Sequence, residues 1–154
     1  MSYKIPVSVL VVVHTADLEI LLLERAGRPG FWQSVTGSLD HPDEPLEQAA
    51  VREVREETGI PADAGRLLRW NVVNTFEIFG QWRSRFAPGI THNTEHVFSL
   101  ELARRMPVSV APGEHLAYVW LPWREAAEKC FSWSNRDAIC MLGERCVLTY
   151  AARR

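Results

Sequence analysis

Residues 37–60 read GSLDHPDEPLEQAAVREVREETGI, and this stretch decides the fold. The turn HPDEP ends at Pro45, which suits the first position of a helix with Glu44 as its cap. The helical segment that follows is expected to stop at Gly59, because glycine often ends a helix. The sequence therefore predicts a helix of about four turns over Pro45–Thr58.

Two glutamates lie on the apolar side of this helix. At about 100° per residue, Glu53 and Glu57 fall on the same stripe as the side chains that would pack on a sheet. Carboxylates spaced i, i+4 have Cβ atoms roughly 5–6 Å apart and repel one another, so a positive partner is expected beside them. Glu56 lies about 100° from Glu57 around the axis and reaches that partner only from the flank. Oxygen donors without Cys or His favour Mg²⁺ or Mn²⁺ over zinc, which predicts a metal site.

The alternative is a solvated charged face, on which Arg52 and Arg55 pair with Glu56 and other neighbours. Runs of charge usually are such faces. The position of Glu53 and Glu57 on the apolar stripe favours the metal site instead.

Composition predicts one ordinary globular domain over residues 1–154. The chain is 47% apolar, and domains cluster at about 100–150 residues. A net charge of -2 excludes a general positive field for nucleic acid or anionic lipid. The longest apolar run, Val7–Val13, is too short to span a membrane, and MSYKIPVSV lacks a signal-peptide pattern, so we expect a cytoplasmic protein. The number of cysteines is odd, and Cys130, Cys140 and Cys146 are therefore expected to be reduced thiols.

The remaining pattern alternates strands and helices and predicts a mixed α/β sandwich. Val7–Val13 and Leu18–Leu23 are continuously apolar and indicate a central hairpin. Ser134 with Asp137 has the capping-box pattern and is expected to open the last helix. The other predicted strands are Phe31–Thr36, Arg66–Val73, Phe76–Phe79, Thr94–Leu100 and Leu116–Leu121, and the later helices are Trp123–Lys129 and Ser134–Tyr150.

Residues 52–60, REVREETGI, fit REUxEExGU at every position, where U is apolar. With Gly37 and Glu44 upstream and one residue inserted in the loop, the segment resembles the box of the Nudix hydrolases. This resemblance implies an α/β/α sandwich with a mixed sheet, and hydrolysis of a nucleoside diphosphate linked to another moiety with a divalent metal. It also implies a structural set made of Gly37, Glu44, Arg52 and Gly59, with Glu44 paired to Arg52 and Asp43 as the substitute if the loop refolds.

Separated blocks extend the resemblance over nearly the whole chain. Five blocks are similar to bacterial Nudix hydrolases that convert 7,8-dihydroneopterin triphosphate to the monophosphate and pyrophosphate. They are FWQSVTGS at 31–38, FEIF at 76–79, APGIT at 87–91 with NTE at 93–95, EHLAY at 114–118 and SWSNR at 132–136. This similarity implies that Glu53, Glu57 and Glu114 are the ligands of Mg²⁺. It places at the substrate Lys4, Arg25, Thr36, Phe76, Glu77, Ile78, Phe79, Glu114 and Ser132.

These residue types suit a triphosphate on a flat ring. Lys4 and Arg25 offer cations, and an arginine can bind two phosphate oxygens at once. Phe76 and Phe79 could form apolar walls, and Glu77 could accept hydrogen bonds from the ring. Surface cations and core aromatics are the competing interpretations.

The sequence therefore favours a pyrophosphohydrolase of a small-molecule triphosphate, with Glu53, Glu56 and Glu57 as catalytic residues. Glu56 would bind a further ion or orient water, and no histidine is assigned to the metal. One rival is a Nudix hydrolase of dATP or damaged nucleoside triphosphates. A second rival is a non-catalytic nucleotide-sensing module. Neither nucleic acid nor a membrane is an expected partner, and the oligomeric state stays open.

Overall fold

The computed structural model describes the backbone of residues 2–152 and every side chain in that range except 62 and 146–152. The strands are β1 (Val7–Thr15), β2 (Glu19–Arg25), β3 (Trp32–Gln33), β4 (Val35–Ser38), β5 (Gly65–Glu77), β6 (His92–Leu102) and β7 (His115–Pro122). The helices are α1 (Leu46–Thr58), α2 (Trp123–Lys129) and α3 (Trp133–Ala152), with short 3-10 helices at Ala62–Ala64 and Gly80–Arg85.

The strands form one mixed sheet around β1. Its spatial order is β3-β2-β1-β6-β5, with β4 also paired to β1 and β7 to β2. β1 and β6 run parallel from Val7 opposite Thr94 to Thr15 opposite Leu102, whereas the other pairings are antiparallel. The predicted hairpin forms, with His14 opposite Ile20. The prediction of an α/β fold with a mixed sheet is confirmed.

Helices cover both faces of the sheet. α1 packs on the face that carries Val9, Val11 and Phe98, while α2 and α3 pack on the face that carries Leu10 and Val12. Alternation along β1 supplies both faces, because successive side chains of a strand point to opposite sides. The continuous apolar run of β1 therefore reflects burial between two helical layers.

The N-terminus of α1 differs from the prediction. The helix begins at Leu46, and Pro45 occupies the cap position with φ -59° and ψ 139°. The prediction that Glu44 caps the helix is wrong, because its carboxylate accepts hydrogen bonds from the Arg52 guanidinium instead. At the other end Gly59 has φ 76° and its N–H donates to the Arg55 carbonyl, which confirms the predicted stop.

The strand that follows α1 is longer than predicted. Arg66–Val73 and Phe76–Phe79 were predicted as separate strands, but β5 runs without a break to Glu77. Its register with β6 shifts between Arg69 and Val73, where Asn71 has φ 58°. Asn74 and Thr75, which separate the two predicted strands, pair regularly with β6. Ile78 and Phe79 lie beyond the strand.

The predicted strand Phe31–Thr36 is also interrupted. It divides into β3 and β4 at Ser34, whose N–H donates to Asn135 Oδ1 at 2.7 Å. A side chain from α3 thus replaces a ladder hydrogen bond at this position.

Ser132, and not Ser134, caps α3. The N–H of Asn135 donates to Ser132 Oγ at 3.2 Å, and the N–H of Arg136 donates to the Ser132 carbonyl at 3.1 Å. Ser134 lies inside the helix and is buried. Cys130 and Cys140 are free thiols, and the side chain of Cys146 lies outside the described residues. Over the described chain, the helices are too short or too polar to cross a membrane.

Candidate active site

α1 holds Glu53 and Glu57 against β4. The two residues are only 9% and 4% exposed. Gly37 makes this approach possible, because a Cβ on Gly37 would overlap the Glu53 carboxylate. The N–H of Thr36 donates to Glu57 Oε2 at 3.3 Å. One short strand therefore receives both carboxylates.

Arg52 ties the start of α1 to the loop before it. Its Nε and Nη2 donate to the two Glu44 oxygens at 2.9 and 3.0 Å, and Nη2 also donates to the Ser38 carbonyl. Nη1 donates to Glu53 Oε1 at 2.8 Å and to Glu56 Oε2 at 3.2 Å. This pairing lowers the pKa of the buried Glu44 carboxyl. Glu44 is the loop acid that pairs with Arg52, and the guanidinium fixes one oxygen of Glu53.

Burial makes the charged forms of the two helix carboxylates unfavourable. It raises the pKa of Glu53 to about 7, although Arg52 opposes the rise. It also raises the pKa of Glu57 well above its usual range, and the charges of Glu53 and Glu114 add to the effect. A cation placed among these groups would offset the desolvation cost and reduce the repulsion.

A group of potential metal ligands is centred on Glu57. One donor atom each from Glu57, Glu114 and His115 lies within 4.8 Å of the other two. Glu114 is exposed in the loop before β7, and His115 is the buried first residue of β7. Two carboxylate oxygens and one imidazole nitrogen suit a divalent cation. Glu53 stands outside this group, with Oε1 bound to Arg52.

A cavity of about 830 Å³ opens beside these acids. Glu53, Glu56 and Glu57 line it. The residues predicted at the substrate also line it, namely Lys4, Arg25, Thr36, Phe76, Glu77, Ile78, Phe79, Glu114 and Ser132.

Cations crowd one side of the cavity. Desolvation and the charges of Arg85 and Arg25 lower the pKa of Lys4. Burial and the charge of Arg85 likewise lower the pKa of Arg25, which donates to Gln33 Oε1 at 3.1 Å. Carboxylates of the acidic region oppose these shifts, and an anionic group between the cations would further reduce their repulsion.

Aromatic rings form another wall. The Phe79 ring lies 5.1 Å from that of Trp82 and 6.3 Å from that of Phe131. The Arg25 guanidinium lies 4.7 Å above the Trp82 ring. Glu77, in contrast, is exposed and pairs with Arg83. The cavity thus joins an acidic region, a basic side and an aromatic wall.

Several lining residues were not found from the sequence. Asn93, Glu95 and His115 are buried residues that line the cavity, and Arg85 also lines it. A sequence signal exists for the first two, because they occupy inward positions of a strand where apolar residues are expected. His115 lacks such a signal, since its ligand neighbour Glu57 belongs to another element.

Comparisons with known proteins agree along most of the chain. A family model described as the NUDIX domain matches residues 4–142. Dihydroneopterin triphosphate diphosphatase of Escherichia coli K12 is 47% identical over 140 residues, which cover 89% of this chain and 91% of that protein. The protein of the same name from Haemophilus influenzae is 40% identical over 143 residues, covering 90% and 88%.

A solved structure is also similar to this chain over most of its length. The structure of the E. coli dihydroneopterin triphosphate pyrophosphohydrolase superposes with a TM-score of 0.84 at 46% identity. The match covers 90% of this chain and 95% of that chain.

Proposed function

The chain belongs to the Nudix family, and from this premise we propose that it hydrolyses dihydroneopterin triphosphate to dihydroneopterin monophosphate and pyrophosphate. The observation that carries the proposal is the cavity in which buried acids, paired cations and an aromatic wall meet. Relatives named for this activity match nearly the full chain, which supports the choice of substrate.

Glu53, Glu57 and Glu114 would hold Mg²⁺, and Mn²⁺ would substitute. Carboxylates are the ligands that both ions prefer, and burial raises the pKa of Glu53 and of Glu57, a cost that a bound cation would offset. When bound, such a cation withdraws charge from phosphoryl oxygens and activates water. Glu56, exposed at the rim, orients the attacking water or holds a further ion.

Lys4 and Arg25 would bind the triphosphate, with Thr36 and Ser132 as polar neighbours. The mutual repulsion of the cations favours an anionic ligand between them. The guanidinium of Arg25 is held by Gln33 and by the Trp82 ring, so its orientation is fixed before substrate binds.

Phe76, Ile78 and Phe79 would form the apolar wall of the ring site, and Glu77 would contribute a polar group at its entrance. In the reaction, water adds to one phosphorus of the bridge between the α- and β-phosphates. The bridging P–O bond breaks, and pyrophosphate leaves from the monophosphate. Closely spaced cations disperse the charge that develops on the phosphate oxygens.

A substrate panel tests the proposal. Pyrophosphate release is measured with Mg²⁺ for dihydroneopterin triphosphate, dATP and oxidised nucleoside triphosphates, in isotopically labelled water to identify the attacked phosphorus. We expect a clear preference for the pterin substrate. A preference for deoxynucleotides would indicate a nucleotide hydrolase in place of the pterin activity. Tight binding without turnover would indicate a sensing module.

We further propose that residues 1–154 form a single domain, that the protein acts in the cytoplasm, and that its partner is a small molecule and not nucleic acid. The composition and the sequence patterns described above support them.

A further inference from the structure

Two residues that line the cavity carry buried side-chain oxygen atoms. Asn93 and Glu95 are 6% and 5% exposed, and both line the cavity. They are two residues apart on β6, so their side chains point to the same face of the sheet. Within the described part of the chain, Asn93 Oδ1 and Glu95 Oε1 have no hydrogen-bond partner.

Neighbouring side chains hold both groups in place. Asn93 Nδ2 donates to Ser8 Oγ at 2.8 Å, which leaves its oxygen as the free end of the amide. Ser134 and Asn74 interact with the Glu95 carboxylate by hydrogen bonds. Asn74 is also the cross-strand neighbour of Glu95 on β5. The two oxygens are therefore preorganised acceptors.

Their environment makes a missing partner unfavourable. A buried acceptor without a hydrogen bond loses its interaction with water and gains nothing in return. Burial also raises the pKa of the Glu95 carboxyl. A ligand that brings N–H donors to this wall would restore the lost hydrogen bonds.

The ring of the substrate offers such donors. A 2-amino-4-oxopyrimidine presents an adjacent ring N–H and amino group, and this edge is common to pterins and guanine. Adenine instead presents a ring nitrogen acceptor beside its amino group. Phe76 is the cross-strand neighbour of Asn93, so an aromatic side chain lies next to the two acceptors.

We propose that Asn93 and Glu95 form the subsite that recognises the ring, by accepting hydrogen bonds from the donor edge of a 2-amino-4-oxopyrimidine. The proposal rests on the proposed function, which supplies a pterin triphosphate as ligand. It assigns ring selectivity to the buried pair in preference to Glu77, whose carboxylate is exposed and already paired with Arg83.

Variants that remove one acceptor test the subsite. Glu95→Met removes the carboxylate. Asn93→Leu removes the amide oxygen and is an independent test at the second residue of the subsite. Glu101→Met is the matched control, because Glu101 lies on the same strand, is exposed and is not among the cavity-lining residues. Each variant is assayed for hydrolysis of dihydroneopterin triphosphate and dATP, and for inhibition by inorganic tripolyphosphate, which has no ring.

In Glu95→Met and Asn93→Leu we expect kcat/KM for the pterin substrate to fall about 10- to 100-fold. Tripolyphosphate inhibition and any dATP hydrolysis should stay at the wild-type level, as should all activities of Glu101→Met. Unchanged pterin hydrolysis, or an equal loss for tripolyphosphate, would overturn the subsite. The subsite would also be overturned if Glu77→Gln selectively lost pterin hydrolysis while Glu95→Met hydrolysed the pterin substrate like the wild type.

A second readout separates this inference from the proposed function. If the wild-type chain releases no pyrophosphate from any triphosphate, the proposed function fails. Calorimetric binding of 7,8-dihydroneopterin, which carries no phosphate, then decides the subsite. Binding that weakens in the folded variant but not in Glu101→Met supports it, and absent or unchanged binding overturns it. If Glu95→Met does not fold, Asn93→Leu is scored by the same criteria.

Discussion

At the scale of single residues, the charged carboxylate of Glu57 is buried, and a bound cation would offset its desolvation cost. Glu57→Gln keeps the shape of the side chain but removes its negative charge. We expect turnover to fall more than the roughly 10–100-fold that outer-shell partners of a metal typically cost. Pyrophosphate release at saturating Mg²⁺ measures this, and wild-type turnover in the variant would remove Glu57 from the site.

Gly37 is the residue that gives Glu53 its position. In Gly37→Ala the new methyl group would overlap the Glu53 carboxylate, so the carboxylate must leave its place. We expect a loss of turnover with less than about 1 kcal/mol lost in the free energy of unfolding, because the end of the Glu53 side chain can move aside.

Gly80→Ala is the control for this change, because nothing among the described residues lies within 4 Å of a Cβ at that position. Denaturant unfolding and pyrophosphate assays compare the two variants. Equal stability and turnover in both would contradict the role given to Gly37.

The two helix glutamates could be predicted because their spacing within α1 is local information. Both were placed on the apolar stripe, and both are buried. His115 could not be assigned in the same way. Its ligand neighbour Glu57 belongs to α1, and no spacing along one element reports such a neighbour.

At the scale of elements, α1 is fastened to its preceding loop by the pair between Arg52 and Glu44. The Glu44 side chain is 2% exposed, so removing the guanidinium leaves a buried charge without a partner. We expect Arg52→Ala to lower the free energy of unfolding by about 3–5 kcal/mol.

Arg69→Ala is the matched control. Its partner Glu47 lies on α1, as Arg52 does, but the Glu47 side chain is exposed. We expect it to cost less than about 1 kcal/mol. Urea unfolding at neutral pH measures both, and similar losses would show that burial of Glu44 is not the cause.

Element boundaries were predicted less well than element types. The end of α1 was correct because Gly59 carries its own conformational signal. The starts of α1 and α3 were not predicted correctly, because Glu44 accepts hydrogen bonds from Arg52 and Ser134 interacts with Glu95 instead of capping a helix. The bulge in β5 was hidden because its effect depends on pairing with β6.

At the scale of the whole molecule, metal and protons compete for the same carboxylates. The pKa of Glu53 is raised from its usual 4.5 to about 7, and that of Glu57 is raised well above 4.5. Between the unfolded and folded pKa values the metal-free folded state binds more protons, so its stability falls as pH rises. We therefore expect Mg²⁺ to raise Tm more at about pH 8 than at about pH 5.5.

Thermal unfolding with and without Mg²⁺ at the two pH values checks this expectation. Glu57→Gln, which cannot be deprotonated at position 57, should show a smaller difference between them. An equal Mg²⁺ effect at both pH values in the wild-type chain would contradict the linkage.

The α/β class could be predicted from alternating elements, but the order of the strands could not. The pairing of β1 with β6 joins Val7 to Thr94, and nothing in either segment specifies that the other is its parallel neighbour. The cavity depends on this pairing, since Ser8 and Asn93 meet across it.

The parallel pairing also has a consequence for biosynthesis. A nascent chain that ends before His92 contains all of β1 and its hairpin partner but not β6. During this interval of synthesis, one edge of β1 therefore has no paired strand. Chaperone capture should therefore concentrate on this interval of translation. Limited proteolysis of stalled chains checks it: chains that end before His92 should be cut within β1, and chains that extend well beyond Leu102 should be protected there.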